Sequence, residues 1–414
     1  MKPLFVFLFA IMTINLSAQS IDTLFLKNLI ESRPDLFDAV LKDPEHKQVQ
    51  ILYTQIDRDK HNKAHFTSYS YRLNPSWYFY PASTVKLPAS IFALEKLNEL
   101  QIKGLSKDTP LKIDSAWEKQ TKVEIDSSSS SGLPSIGHYI KKILLTSDND
   151  AFNRLFEFIG RADINGRLKK HGAIHSRIVN RLAIGDKGEW AKHTNPITFY
   201  KGDHIMYQQD AQYDPENYAM DLQNVVRGKA YMDAKDSLIR QAYSFEGLNV
   251  YPLADQQLIL KKLLFPEAFP KKERFHLTSE DYRFLYYHMS RFPQEVEYPK
   301  YDSTEFWPTY SKLLYFGREK GIHPDGNIRS FNKYGDSYGF NIDNAYIVDY
   351  KNGVEFLLAV VVQSNNNEIY NDGVYEYEEI TYPFLKNIGK LIYEHELKRE
   401  KKVKPDLSRF EFNE

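Results

Sequence analysis

The stretch "NAYIVDYKNGVEFLLAVVVQ", residues 344–363, constrains the fold more than any other part of the chain. Two apolar strands flank Asn352 and Gly353, the dipeptide that most strongly marks a short β-hairpin. Near the other end, "QVQILYTQIDRD" and "AHFTSYSYRL" alternate like paired strands, preceded by the helically spaced "TLFLKNLIESRPDLFDAVL". The chain closes on an amphipathic helix, "TYPFLKNIGKLIYEHEL". Between these ends helices dominate. After Ser83, residues Leu87, Ile91, Leu94 and Leu97 mark one helical face, with Pro88 early enough to be tolerated. The run "DSSSSSGLPS" is a loop whose Ser135 caps "IGHYIKKILL", and that helix stops at "TSDND" before a second one ending near Gly160. The expected fold is α/β: an antiparallel sheet built from the N- and C-terminal segments and flanked by helices, with an inserted all-helical subdomain. The division is 20–82 and 275–414 for the α/β part and 83–274 for the mainly helical part, with an insertion at about 185–274. No internal repeat is found.

Composition narrows the partners. The 414 residues carry 54 basic and 55 acidic side chains, so no electrostatic footprint for nucleic acid or an anionic membrane is present, and small or peptide-like substrates are expected. Residues 1–19, "MKPLFVFLFAIMTINLSAQ", have a lysine, an apolar core and a small-residue end, the pattern of a secretory signal peptide. A periplasmic or secreted chain without a membrane anchor after cleavage is expected. With no cysteine, neither disulfides nor a lipid-modified cysteine enter. Oligomeric state is not readable from the sequence.

In "YFYPASTVKLPAS", Ser83 precedes Lys86 by three residues at a helix start. A serine is a weak nucleophile unless a base takes its proton, and residues three apart on a helix share a face. Alone, the pair reads first as an ordinary helix N-terminus rather than a catalytic pair, and Ser330 with Lys333 has the same spacing. Two further stretches add weight. "LLTSDND" presents Ser147, Asp148 and Asn149, and "FNKYGDSYGF" presents Lys333 and Gly335 at the start of the C-terminal strands, where a glycine admits a close backbone approach. His171, His175, His193, His204 and His323 are scattered without metal spacing, and no glycine-rich phosphate loop appears, so no cofactor is expected.

Ser-x-x-Lys, Ser-Asp-Asn and Lys-x-Gly, in that order, resemble the signature set of the penicillin-recognising serine hydrolases, and the surroundings look like class A β-lactamases. The resemblance implies that Ser83 is the acylated nucleophile and Lys86 its general base. Ser147 would relay a proton to the leaving nitrogen, Asn149 would hold a substrate amide, and Lys333 would meet a substrate carboxylate. The main-chain N–H groups of Ser83 and Asp336, beside Gly335, would form the oxyanion hole. The substrate implied is a β-lactam or a cell-wall-like peptide amide. Alternatives are a D-alanyl-D-alanine peptidase or esterase of the same superfamily, and a non-catalytic penicillin-binding sensor. Two departures stand out. Tyr334 occupies the middle of the third motif, where the family has threonine or serine, with Ser337 as a nearby substitute. The family's Glu-x-x-Leu-Asn pattern is missing from "IVNRLAIGDKGEWAKHTNPI", which offers only Asp186 and Glu189. Acylation is therefore expected to outrun hydrolysis of the acyl-enzyme.

Overall fold

The computed structural model describes residues 22–412, so the expected leader at 1–19 lies outside the described residues. Five strands form the main antiparallel sheet: β1 (Gln50–Arg58), β2 (Ala64–Tyr71), β3 (Ile328–Ser337), β4 (Phe340–Asp349) and β5 (Val354–Gln363). Their order is β3-β4-β5-β1-β2. The N-terminal hairpin thus joins the C-terminal meander along β1 and β5, with Gln50 opposite Val361. The turn after β4 runs from Tyr350 to Gly353, longer than the two-residue turn that an Asn-Gly pair favours, and Gly353 takes the left-handed φ of 64° that closes it.

The helices are α1 (Leu24–Glu31), α2 (Pro34–Leu41), α3 (Lys86–Leu100), α4 (Ile136–Thr146), α5 (Asn149–Ile159), α6 (Arg161–Lys170), α7 (Leu253–Leu264), α8 (Ser279–Ser290) and α9 (Tyr382–Lys398). Every residue of β5 is buried because both of its faces are covered. Phe356, Leu358, Val360 and Val362 pack against α1, α2 and α9, while Leu357, Ala359 and Val361 point the other way, toward the side that α7 covers. With both faces apolar, hydrophobicity specifies register weakly. A buried bidentate pair, Arg58 to Glu355 at 2.6 and 2.7 Å, ties the first strand to the fifth.

In the inserted helical part α3 runs through the centre, with every residue from Lys86 to Glu95 buried and α4, α5 and α6 sharing its core. The remainder of the insertion is different in kind. Residues 193–244 form short strand pairs, such as Ile197–Lys201 with His204–Gln209, each too brief for an alternating pattern to register in the sequence. Helix α7 falls inside the 185–274 span yet packs on the main sheet, through Ile259, Leu260 and Leu263 against the side that carries Leu357.

Candidate active site

A short 3-10 turn over Ala82–Val85 runs directly into α3, which puts Ser83 and Lys86 one turn apart. The turn is held in an unusual shape. Ala82, immediately before Ser83, has a φ of 47°, in the left-handed region that side-chain-bearing residues seldom occupy. The serine lines a cleft of about 250 Å³ together with Tyr80, Ser147, Asn149, Tyr334 and Asp336. Strand β3 lies hard against the turn. A Cβ on Gly335 would sit 2.8 Å from the Ser83 main-chain nitrogen and 2.9 Å from the Pro81 carbonyl, so only glycine fits there. We expect Gly335→Ala to push β3 and the Ser83 turn apart, destabilise the protein by about 1–3 kcal/mol as an overpacking change, and cut Ser83 acylation at least tenfold; thermal unfolding and labelling kinetics check this.

The second motif is built by two caps. Ser135 accepts from the His138 N–H at 3.2 Å and starts α4, which ends on Ser147 in the left-handed region at φ 64°. Asp148 then caps α5 by accepting from the Ala151 N–H at 2.8 Å. Asn149 is consequently the first residue of α5, not a loop residue as the sequence pattern suggested.

Lys86 is fully buried, and its ammonium donates to the Ser147 carbonyl, to Ser147 Oγ at 3.2 Å and to Asn149 Oδ1 at 2.7 Å. These bonds bind it to the second motif and not to Ser83 Oγ. Lys333 is also buried and donates to the same Ser147 Oγ at 2.8 Å and to the Tyr334 carbonyl at 2.8 Å. All three sequence motifs therefore meet at one hydroxyl. Two ammonium groups around one oxygen cannot both hold their charge cheaply. Burial lowers Lys86 to about 7, against the opposing pull of the Asp148 and Asp336 carboxylates. Burial, and then the neighbouring Lys86, push Lys333 well below its ordinary value. Ser330, the competing serine, is fully buried inside β3, and its hydroxyl finds no partner among the described residues.

The two departures now have places. Tyr334 is buried, with Lys333 4.4 Å from the centre of its ring, while Ser337 lines the cleft. Where the cleft borders the 178–197 region its walls are Leu182 and Ala183. Asp186 is turned inward, accepting from the Arg181 N–H at 2.7 Å and its guanidinium at 3.1 Å, and Glu189 is solvated and paired with Lys192 at 3.0 Å. Neither carboxylate lines the cleft; the one that does, among the described residues, is Asp336. Its partner, Arg318, was missed by sequence reasoning. Arg318 donates to Asp336 Oδ2 at 2.7 Å from an irregular stretch with no motif of its own.

A Ser-x-x-Lys turn at the start of a buried helix, beside a sheet made of both chain ends, and three motifs gathered on one serine define the penicillin-recognising serine hydrolases. The family model described as the beta-lactamase enzyme family matches residues 36–246, and the chain belongs to that family. Among solved structures, the beta-lactamase from Sphaerobacter thermophilus DSM 20745 is 11% identical over 89% of this chain and 96% of its own, with a TM-score of 0.45. An ancestral class A beta-lactamase is 14% identical over 89% and 99%, at 0.47. The structure of PBP-A is 14% identical over 89% and 97%, at 0.46. No curated protein matches the sequence.

Proposed function

We propose that this protein forms an acyl-enzyme on Ser83 from an amide or ester carbonyl, β-lactams and cell-wall-like peptides being the amides considered, and that it acts outside the cytoplasm behind its N-terminal leader. The observation that carries the reading is the convergence of Lys86 and Lys333 on Ser147 Oγ beside the Ser83 turn. Neutral Lys86 takes the Ser83 hydroxyl proton as the serine oxygen bonds to the carbonyl carbon, a contact that closes once substrate is in place. The carbonyl electron pair becomes an oxyanion facing the main-chain N–H groups of Ser83 and Asp336. When the C–N or C–O bond breaks, the leaving atom takes the Ser147 proton, and the lysines restore it. In this reading Asn149 holds both Lys86 and the substrate, Lys333 orients Ser147, and Gly335 keeps the strand close to the oxyanion site.

Deacylation has less support. From the 178–197 region the cleft receives Leu182 and Ala183 and no carboxylate, and general-base catalysis of deacylation contributes typically ~10²–10⁴-fold. That observation favours a second reading, a penicillin-binding sensor that is acylated and barely turned over. Stopped-flow measurements with p-nitrophenyl acetate and a chromogenic cephalosporin test both. We expect a burst near one equivalent per protein followed by slow release, unchanged in Asp186→Asn and Glu189→Gln. Linear turnover with no burst, lost in either variant, would assign the deacylating role to that carboxylate. No burst and no turnover would reject acyl transfer.

A further inference from the structure

The charges around the cleft bear on which acyl donors it accepts, given the acyl-enzyme reading above. Three basic side chains lie at the site, and each already has polar partners. Lys86 and Lys333 are buried and donate to the second motif and to the Tyr334 carbonyl. Arg318 donates to Asp336 at 2.7 Å and to the Tyr382 hydroxyl at 3.4 Å, and its guanidinium lies 4.0 Å from the Tyr310 ring and 5.5 Å from the Tyr334 ring. Its side chain is only 11% exposed.

The loop that carries Arg318 is pinned. The Leu313 and Leu314 N–H groups donate to buried Asp343 at 3.2 and 3.0 Å, and buried Lys312 donates to the Met289 and Ser330 carbonyls at 2.6 and 2.9 Å. Arg318 thus extends from an anchored loop, with its guanidinium paired to Asp336 and lying over the Tyr310 ring. Asp336 is the more open member of the pair, its side chain 28% exposed, and its charge acts on both Lys86 and Lys333. A carboxylate entering this cleft meets a fixed carboxylate, while burial disfavours the ammonium forms of the two lysines that could offset it. Tyr334 adds to this by standing in the third motif where a short hydroxyl would otherwise help receive an anion.

We propose that the cleft selects acyl donors that are uncharged beside the scissile carbonyl, neutral esters or amides, and that Asp336 is the specificity-determining residue that rejects a carboxylate. Benzylpenicillin and its methyl ester test this directly, since they share the β-lactam and differ in that one charge. Ser83 acylation is followed by intact-protein mass spectrometry. We expect the methyl ester to acylate the wild-type protein at least about tenfold faster than the free acid, like-charge juxtaposition being strongly unfavourable. Asp336→Asn is expected to raise the rate ratio of free acid to ester at least about tenfold, because it removes the repulsion and releases Arg318. A wild-type protein that reacts with the free acid as fast as with the ester overturns the inference alone, and needs no variant to do so; an unchanged ratio in folded Asp336→Asn does the same. Failure of both compounds and of p-nitrophenyl acetate to acylate Ser83 overturns the acyl-enzyme reading, and this inference with it.

Discussion

Ser83→Ala is expected to lose all covalent labelling and the whole product burst while keeping its fold. The substitution removes one oxygen from an 8% exposed side chain and leaves the Ala82–Val85 turn, α3 and the Gly335 contact in place, so no cavity of consequence forms. Thermal unfolding should shift little, because the serine side chain caps no helix in the structure. Labelling should fall to the level of denatured protein, since catalytic nucleophiles have no substitute within the unit they belong to. Peptide mapping after reaction with a neutral active ester identifies the site. An adduct on Ser330, or persistent labelling of Ser83→Ala, would move the nucleophile elsewhere and undo the assignment of the first motif.

Lys86→Ala is expected to slow acylation by roughly 10²–10⁴-fold, the span typical of general-base catalysis. Its pH dependence gives a second and independent reading. The active form is the neutral amine, and burial places its titration at about 7. As pH falls below that value the ammonium dominates and the rate declines; as pH rises through it the rate increases and then levels. The acylation rate of the wild-type protein at low substrate should follow this single rise, and Lys86→Ala should flatten it. Lys86→Arg should be as impaired as the alanine variant, because a guanidinium is never neutral in this range. A Lys86→Ala protein that acylates within about tenfold of the parent would make the lysine structural, a holder of Ser147 and Asn149, with the base to be sought elsewhere.

What the sequence by itself determined is what short-range physics encodes. Alternation wrote the N-terminal strand pair, two apolar runs around Asn352 and Gly353 wrote the C-terminal one, helical spacing wrote the face of α3, and a hydroxyl after Pro134 wrote the cap of α4, because each signal is complete within a turn or two of chain. The three motifs were legible for the same reason: their members lie three residues apart or closer. Which atoms they touch was not. The structure gathers Lys86 and Lys333 onto Ser147 Oγ, across sequence separations of 61 and 186 residues. It also starts α5 at Asn149, brings α7 onto the sheet from inside the insertion, and presses β3 so closely on the Ser83 turn that only Gly335 fits. Ionisation follows tertiary structure as well. A lysine is lowered to about 7 by burial, and the groups its ammonium touches, on Ser147 and Asn149, lie 61 and 63 residues away in sequence. Arg318 is the clearest case. Nothing about an arginine in an irregular stretch announces a partner; the Trp307 indole N–H that donates to its carbonyl at 3.0 Å and the aromatic rings around its guanidinium help set it on Asp336. Local patterns fix elements because backbone hydrogen bonds and side-chain periodicity act over a few residues; charge, desolvation and close approach depend on which distant segments meet, and that is decided when the core packs.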